Sequence, residues 1–203
     1  MTCPLRVIKV GGSLLDWPEL SDRFQNWLDS QFPAANVAIV GGGALVDTLR
    51  ELDHRHHFPV ETIHWSAVRL MDVNAELFSV RLSHASLVKD WRQLARTSSL
   101  EPQVLLVEPF LREDAGRCGA LPCGWEVTSD SIAARVAAVL GAQELVLLKS
   151  TSAGNGMTPA AWSDAGLVDR YFPIALATAQ VRFVNLREAV ALDSPTAARS
   201  VLS

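Results

Sequence analysis

Two apolar segments that each end in glycine constrain the fold of this chain more than any other feature. The first, Leu5 to Val10, carries Lys9 and runs into Gly11-Gly12-Ser13, and the second, Asn36 to Val40, runs into Gly41-Gly42-Gly43. Each segment has the length and the β-branched content of a buried strand, and a helical pattern follows each turn. A lysine within a buried strand is costly unless an anion meets it. The sequence therefore predicts strand-to-helix turns that receive an anion.

The alternation of strands and helices continues along the chain. Further strands are predicted at Gln103 to Val107, Glu144 to Leu148 and Val181 to Val184. The predicted helices begin after Pro18, after Gly43 and after Pro59, and the clearest spans Asp130 to Leu140, with Ser129 as its N-cap and Gly141 as its stop. This order favours an α/β fold whose mostly parallel sheet is covered on both faces. Because no linker or repeat divides the chain, we expect a single domain over residues 1–203.

The sequence also predicts the apolar faces of two helices and one irregular stretch. The helix after Gly43 is expected to carry Leu45, Leu49 and Leu52 on one face. The helix after Pro59 has an apolar face, and whether Met71 to Asn74 interrupts it is left open. The apolar face consists of Ile63, Ala67, Leu70, Ala75, Leu77 and Val80. The stretch from Glu108 to Trp125 is expected to be irregular because of its glycines and proline.

The composition fits a soluble protein that binds a small anion. The 203 residues are 49% hydrophobic and 20% charged, and a net charge of −4 leaves no broad basic surface. Nucleic acid is therefore not expected as a partner, whereas a small phosphorylated molecule is. No apolar run reaches the ~20 residues that span a bilayer, and the N-terminus lacks a signal-peptide pattern, so we expect no membrane contact and a cytoplasmic location. The three cysteines are too few for a disulfide framework.

Charged residues at the ends of three predicted elements indicate the chemistry. Lys9 ends the first strand, Lys149 follows the strand that ends at Leu148, and Asp130 opens a helix. Ammonium groups can neutralise the charge on a transferred phosphoryl group, and a nearby carboxylate can orient them. The glycine turns add backbone N–H groups for phosphate oxygens. Neither turn matches the dinucleotide fingerprint or the P-loop, and a structural role of each turn and of Lys9 stays open.

With these motifs the sequence resembles the amino-acid kinase family. The resemblance is carried by KVGGS at Lys9 to Ser13, VGGG at Val40 to Gly43 and TSDSIAARVA at Thr128 to Ala137. It implies a three-layer α/β/α sandwich, ATP and Mg²⁺ as cofactors, transfer of a phosphoryl group to a small acceptor, and association into homo-oligomers. It also implies that Lys9 contacts the phosphoryl group and that Asp130 organises the lysines. The phosphate-binding residues by this resemblance are Gly11, Gly12, Ser13, Gly41, Gly42, Gly43 and Ser129.

Three longer segments resemble one branch of that family. They are GGGALVDTLRELD at Gly41 to Asp53, HWSAVRLMDVNAELF at His64 to Phe78 and LPCGWEVTSDSIAA at Leu121 to Ala134. The branch includes the small archaeal-type kinase of methanofuran biosynthesis, which converts (5-(aminomethyl)furan-3-yl)methyl phosphate to its diphosphate. Many members of the family carry an Asp-rich TDVDG segment where this chain has KSTSAGNG at Lys149 to Gly156. By this comparison Lys149 stands in for a second catalytic lysine.

Four more residues are candidates for binding the acceptor. These are Arg50, Asp53, His64 and Trp65. Arg50 and Asp53 form either a solvated pair on a helix surface or, through the planar fork of Arg50, a phosphate contact. His64 and Trp65 either pack in the interior or line an aromatic substrate pocket. The histidines that follow Asp53 are expected in a solvated loop rather than at a metal.

Other functions stay open at this stage. Asp72 and Asn74 are either helix-surface residues or ligands of an amine or of Mg²⁺. The chain can also be a nucleotide- or anion-binding regulator that does not catalyse. A kinase of isopentenyl phosphate or of a carboxylate is a further alternative. An acceptor with an amine requires an acidic residue in its pocket, whereas an isoprenoid requires an apolar slot.

Overall fold

The computed structural model describes residues 3–96, 99–176 and 178–188. The strands are β1 (Leu5–Val10), β2 (Ala35–Val40), β3 (Ser86–Val88), β4 (Gln103–Leu105), β5 (Glu144–Lys149) and β6 (Gln180–Asn185). They form one sheet in the order β3-β4-β2-β1-β5-β6, and all neighbouring pairs are parallel. The helices are α1 (Leu20–Asp29), α2 (Gly43–His56), α3 (Val60–Ser79), α4 (Val107–Asp114), α5 (Ser129–Leu140), α6 (Pro159–Asp164) and α7 (Phe172–Ala175).

The central strands are buried on both faces. Every residue of β1 and β2 is buried, as parallel strands between two helical layers must be. Side chains alternate between two cores: Val7 points into the core that contains Ile132 of α5, and Ile8 points into the core that contains Phe24 of α1. The predicted α/β/α architecture is therefore confirmed.

Helix α1 begins after Pro18, as predicted, and its apolar residues recur at helical spacing. Leu20, Phe24, Trp27 and Leu28 are all buried against the sheet, and the ring of Phe24 meets that of Phe78 edge to face at a centroid distance of 5.3 Å. Full burial of side chains of this size contributes about 1.5–3 kcal/mol each. The period of apolar residues was sufficient to predict this helix.

Four local predictions were wrong or incomplete, and one question that the sequence left open is answered. Helix α3 runs through Met71 to Asn74 without a break, and α4 lies in the stretch that was expected to be irregular. The short edge strand β3 was not predicted, since it has only three residues. Helix α2 forms, but none of its residues is buried, and Leu45 is 41% exposed. Leu77 and Val80, assigned to the apolar face of α3, are also exposed. The expected association of copies stays a prediction.

The register of the sheet brings the carboxyl ends of β1, β2 and β5 together at one edge. Val10 of β1 is paired with Val40 of β2 on one side and with Leu148 of β5 on the other. Because the three strands are parallel, their carboxyl ends reach the same edge of the sheet. The two glycine turns and Lys149 therefore leave the sheet side by side, where ligands of open α/β sheets bind.

Candidate active site

The two glycine turns contact each other through their backbones. A Cβ atom added to Gly12 would lie 2.4 Å from the backbone nitrogen of Gly43, and one added to Gly41 would lie 2.7 Å from the nitrogen of Gly12. Gly43 also has a φ of +50°, in the left-handed region that side chains disfavour. Only glycine permits this approach at Gly12.

The sheet uses some of the donors that the sequence assigned to phosphate. The N–H group of Gly11 donates to the carbonyl of Leu148, and that of Gly41 donates to the carbonyl of Val10, both at 2.9 Å. The phosphate-binding roles of these two N–H groups are therefore corrected to ladder hydrogen bonds. Gly42 provides no side-chain cap for α2, which leaves the first N–H groups of that helix for a ligand.

The side chain of Asn74 holds the glycine turn at Gly41 to Gly43 in place. Its buried Nδ2 donates to the carbonyls of Gly41 at 3.0 Å and of Gly42 at 2.7 Å. Asp72 instead accepts from the N–H groups of Val107 at 2.6 Å and Glu108 at 3.1 Å and so caps α4. Both residues support the backbone, and neither is a surface residue.

A buried cluster of two lysines and one aspartate is formed by elements that end or begin next to the turns. Lys9 Nζ is 2.9 Å from Oδ1 of Asp130, and Lys149 Nζ donates to Oδ2 at 2.7 Å. The side chains of Lys9 and Asp130 are only 4% and 6% exposed. The contact with Oδ1 is an ion pair without hydrogen-bond alignment, so Oδ1 has no aligned donor among the described residues. The structure thus brings together the three residues that the sequence proposed for phosphoryl transfer.

Burial and charge set the protonation of this cluster. Burial alone would raise the pKa of Asp130, but the charges of Lys9 and Lys149 outweigh it and hold that pKa below its usual value. Burial and the charge of Lys9 lower the pKa of Lys149 from 10.5 to about 8, against the opposing effect of Asp130. The carboxylate is therefore ionised near neutral pH, and Lys149 titrates within the working range of most enzymes.

The segment between α6 and α7 holds this cluster and was missed by sequence analysis. The carbonyl of Leu167 accepts from Lys149 Nζ at 2.8 Å. The carboxylate of Asp169 accepts from the backbone and the side chains of Thr128 and Ser131, at the start of α5. Thr128, not Ser129, is the N-cap, because its side chain accepts from the N–H group of Asp130. The spacing of residues along the chain gave no signal for Asp169.

A cavity of about 200 Å³ opens beside the glycine turns. It lies between α2, α3, the start of α5 and the loop that precedes α5. Its wall consists of Gly12, Ser13, Gly42, Gly43, Val46, Asp47, Arg50, His64, Ala67, Val68, Met71, Gly124, Trp125, Val127, Thr128, Ser129 and Ile132. Most of these side chains are apolar, and the charged groups are few. The cavity is smaller than the ~300–1,000 Å³ of typical sites for drug-sized ligands, which favours a compact ligand.

Trp125 closes one side of the cavity. Its indole Nε1 donates to Oδ2 of Asp53 at 2.7 Å, and the guanidinium of Arg50 lies 4.7 Å from the ring centroid. Asp53 therefore positions Trp125, while Arg50 lines the cavity and pairs with Asp47 at 3.0 Å. Nδ1 of His64 accepts from the N–H group of Gly124 at 3.4 Å, and burial lowers the pKa of His64.

Trp65 does not line this cavity. The guanidinium carbon of Arg112 lies 4.1 Å from the centroid of the Trp65 ring. The same ring packs edge to face against that of His64, with 5.1 Å between the centroids. Trp65 faces a separate small cavity near Leu111 and Cys123. His64 lines both cavities, whereas Trp65 lines only the smaller one. Of the two alternatives for Trp65, its contacts with Arg112 and His64 favour packing, and a role in binding the acceptor stays a prediction.

The loop after β5 is attached to the neighbouring turns. The hydroxyls of Ser13 and Ser150 are 2.8 Å apart. Ser152 donates to Glu188 at 2.7 Å and accepts from Asn185 at 2.9 Å. The loop from Lys149 to Gly156 thereby lies next to the first glycine turn.

Two negative findings concern the described part of the chain. No group of three or more His, Cys, Asp or Glu side chains is arranged to hold a metal ion there. His54 and His56 lie exposed in the last turn of α2, and His57 follows it with a φ of 53°. Within the same residues, no helix is both long and apolar enough to cross a bilayer.

Comparison with known proteins gives a structural answer only. No family model matches the sequence, and no curated protein does. The fold is similar to that of UMP kinase from Bacillus anthracis, with a TM-score of 0.61 and 11% identity over 97% of this chain and 90% of that one. The chain has the amino-acid kinase fold.

Two further structures agree with this fold. UMP kinase from Ureaplasma parvum has a TM-score of 0.58 at 12% identity, covering 95% of this chain and 96% of that one. Uridylate kinase from Archaeoglobus fulgidus has a TM-score of 0.52 at 17% identity, covering 76% and 69%. Identities this low establish the fold and leave the activity to the site itself.

The residues present fit a nucleotide phosphate chain. The backbone at Gly12 and Gly43 leaves no room for side chains, and the two buried lysines belong to the strands that end at this edge of the sheet. Asp130 is engaged by both lysines and is therefore a poor ligand for Mg²⁺. Mg²⁺ usually keeps several waters and takes substrate phosphate oxygens as ligands, and that mode suits this site.

Proposed function

We propose that this protein is an ATP-dependent phosphotransferase that acts on a small phosphorylated acceptor. The observation that carries the proposal is the buried cluster of Lys9, Asp130 and Lys149, whose elements end or begin next to the two glycine turns. Two lysines and one carboxylate leave one net positive charge in a site removed from water. Such a site stabilises the extra negative charge of a phosphoryl group in transit. The amino-acid kinase fold of the chain supports the proposal.

The reaction needs positioning more than acid or base chemistry. An oxygen of the acceptor phosphate attacks the γ-phosphorus of ATP, the bond from that phosphorus to the bridging oxygen of ADP breaks, and the products are ADP and a diphosphate. The attacking oxygen is already ionised at neutral pH, so no general base is required. Lys9 and Lys149 neutralise the phosphoryl oxygens, and Asp130 keeps both ammonium groups in place. Mg²⁺ would neutralise further charge on the phosphates.

The cavity of about 200 Å³ is the proposed acceptor site. Its apolar wall suits a small ring or a short hydrocarbon chain, and Arg50 offers a planar guanidinium to a phosphate. The carboxylate of Asp47, which lines the cavity, can pair with an amine on the acceptor. These features support (5-(aminomethyl)furan-3-yl)methyl phosphate as the first acceptor to test. Isopentenyl phosphate, which carries no amine, is the second.

Turnover of these acceptors tests the proposal. The protein is incubated with ATP, Mg²⁺ and each acceptor, and the diphosphate is followed by phosphorus NMR. We expect Lys9→Ala to lower kcat by ~10²–10³-fold, the usual effect of removing one group that stabilises transition-state charge. Lys89→Ala is the matched control, because Lys89 is exposed and away from the site. A kcat for Lys9→Ala that equals the wild-type value would refute the assignment.

Substitution of Arg50 tests binding of the acceptor separately from the chemical step. We expect Arg50→Ala to raise the KM for the acceptor by about tenfold, equivalent to ~1.4 kcal/mol, with little change in kcat. Arg55→Ala is the control, because Arg55 lies on the same helix with its side chain 66% exposed. An unchanged KM would show that the acceptor does not use this cavity.

A regulator that binds a nucleotide without turnover is the second candidate. One observation favours it: the loop from Lys149 to Gly156 lacks the Asp-rich segment of many members of the family that the sequence resembles. Calorimetry with ATP and Mg²⁺ separates the candidates. Binding of ATP without a product from phosphorylated or carboxylate acceptors would favour the regulator.

A further inference from the structure

Asp169 collects an unusual number of hydrogen bonds next to the cluster. Its carboxylate accepts six, and the donors come from two places in the chain. The donors are the N–H and hydroxyl groups of Thr128, the N–H and hydroxyl groups of Ser131, and the N–H groups of Tyr171 and Phe172. The first four surround Asp130 in sequence, so the first turn of α5 is attached to the segment before α7 at this one carboxylate.

The same segment also holds Lys149. The carbonyl of Leu167, two residues before Asp169, accepts from Lys149 Nζ at 2.8 Å. One short stretch of chain therefore fixes both ends of the contact between Lys149 and Asp130, which is 2.7 Å long. Burial lowers the pKa of Lys149 most; of its charged neighbours, Lys9 lowers that pKa and Asp130 raises it.

We propose that Asp169 is a positioning residue for phosphoryl transfer, which acts by fixing Asp130 and Lys149 relative to each other. The inference rests on the proposed function for its kinetic consequence. An ionised carboxylate only accepts, which suits this site because four of the six partners are backbone N–H groups that can only donate. Asparagine at this position would turn its NH₂ group toward two backbone N–H groups, whichever way the amide lies, and at least those two contacts would be lost.

Loss of the Asp169 contacts should change the geometry of the cluster as well as the stability of the segment that contains Asp169. Loss of the contacts at Thr128 and Ser131 frees the first turn of α5, and that turn carries Asp130. A displacement of about 1 Å in a catalytic site can cost about 10²-fold in rate. Because Leu167 lies in the same segment, Lys149 also loses its second partner and gains access to water. Burial is the main cause of its lowered pKa and outweighs the opposing effect of Asp130, so the loss of burial should raise that pKa toward 10.5 even as the contact with Asp130 weakens.

The low number of lysines makes this measurable without turnover. The chain has three lysines, Lys9, Lys89 and Lys149, so the ¹³Cε signals of labelled lysine can be followed one by one in a pH titration. Lys89→Arg and Lys149→Arg assign the signals. The test variant is Asp169→Asn, and the control is Asp164→Asn, which removes the same charge from an exposed position of α6.

In Asp169→Asn we expect the pKa of Lys149 to rise above its wild-type value and kcat to fall by ~10–100-fold, with the KM for ATP little changed. Asp164→Asn should leave the pKa of Lys149, kcat and the KM for ATP unchanged. Ser131→Ala removes one partner of Asp169 and should shift Lys149 in the same direction by less, which covers the case that Asp169→Asn does not fold. A Lys149 titration that stays at the wild-type pKa in both Asp169→Asn and Ser131→Ala would overturn the proposal, even if both variants melt at a lower temperature. If no acceptor is turned over, the titration alone decides the positioning role, and only the proposed function fails.

Discussion

Lys149 donates a hydrogen bond of 2.7 Å to Asp130, and both side chains are almost fully removed from water. Lys9 approaches the other oxygen of the same carboxylate at 2.9 Å. A carboxylate shared by two buried ammonium groups is costly to assemble, since each charge loses its hydration. The fold holds this arrangement at the edge where two glycine turns expose backbone, which is where a phosphate would complete the charge balance.

Removal of the shared carboxylate should affect stability and turnover together. Asp130→Asn leaves two buried lysines without a counter-charge, and breaking such a pair costs ~3–5 kcal/mol. We expect a loss of that size in the free energy of unfolding, measured by urea denaturation, and a fall in kcat of ~10²-fold or more. Asp22→Asn is the control, because Asp22 is an exposed acid in the first turn of α1 and reports only the helix-dipole effect of ~0.3–1 kcal/mol. Equal losses in both variants would contradict the ion-pair account.

The turnover rate should fall as the pH rises through about 8. The pKa of Lys149 is lowered to about 8, so its ammonium loses the proton, and with it the positive charge, above that pH. In Lys149→Arg the charge persists to far higher pH, and the residual activity should lose this basic limb. The measurement is kcat from pH 6.5 to 9.5 at saturating ATP and acceptor. A wild-type profile that stays flat to pH 9.5 would exclude Lys149 as an essential cation.

A side chain at Gly12 should separate the two turns. A Cβ in Gly12→Ala would lie 2.4 Å from the backbone of Gly43, which neither backbone can absorb without moving. We expect a loss of ~1–3 kcal/mol in the free energy of unfolding, as for other overpacked sites, and weaker ATP binding in calorimetry. For stability the control is Gly154→Ala, whose Cβ would meet only the flexible side chain of Met157 at 3.1 Å. Wild-type ATP affinity in Gly12→Ala would argue against the cradle.

Asp72 should make stability depend on pH between about 4 and 6. Burial raises its pKa from 3.8 to about 6, although the N–H groups of Val107 and Glu108 oppose the shift. In this window the folded state keeps the proton and the unfolded state releases it, so the contribution of Asp72 to stability falls as the pH rises. The Tm of wild type relative to Asp72→Asn should therefore decrease from pH 4 to 6 and then level off. Parallel Tm curves would contradict the shift, and Asp16→Asn, at an exposed position, serves as the control.

Several parts of the fold could be predicted because they depend on local sequence. The apolar runs of β1 and β2, the spacing of Phe24 and Trp27 in α1, and the glycine stop of α5 are signals within a few residues. Helix α4 and strand β3 escaped prediction for the opposite reason. The N-terminus of α4 is capped by Asp72, which lies 35 residues earlier in the chain, and β3 is ordered by pairing with β4 at the edge of the sheet.

The sequence by itself determined the class of the fold and the residue types of the site: two glycine turns, two lysines and an aspartate, each at the end of an element. Their convergence follows from parallel pairing, which local patterns can indicate. Only the tertiary structure decided that Asp169 and Leu167 hold the cluster, that Asp53 supports Trp125, and that Trp65 faces away from the cavity. Some of these contacts join residues that are far apart in the chain, and the orientation of Trp65 depends on the angle at which its helix packs. The spacing of neighbouring residues in the sequence specifies neither the distant contacts nor that angle.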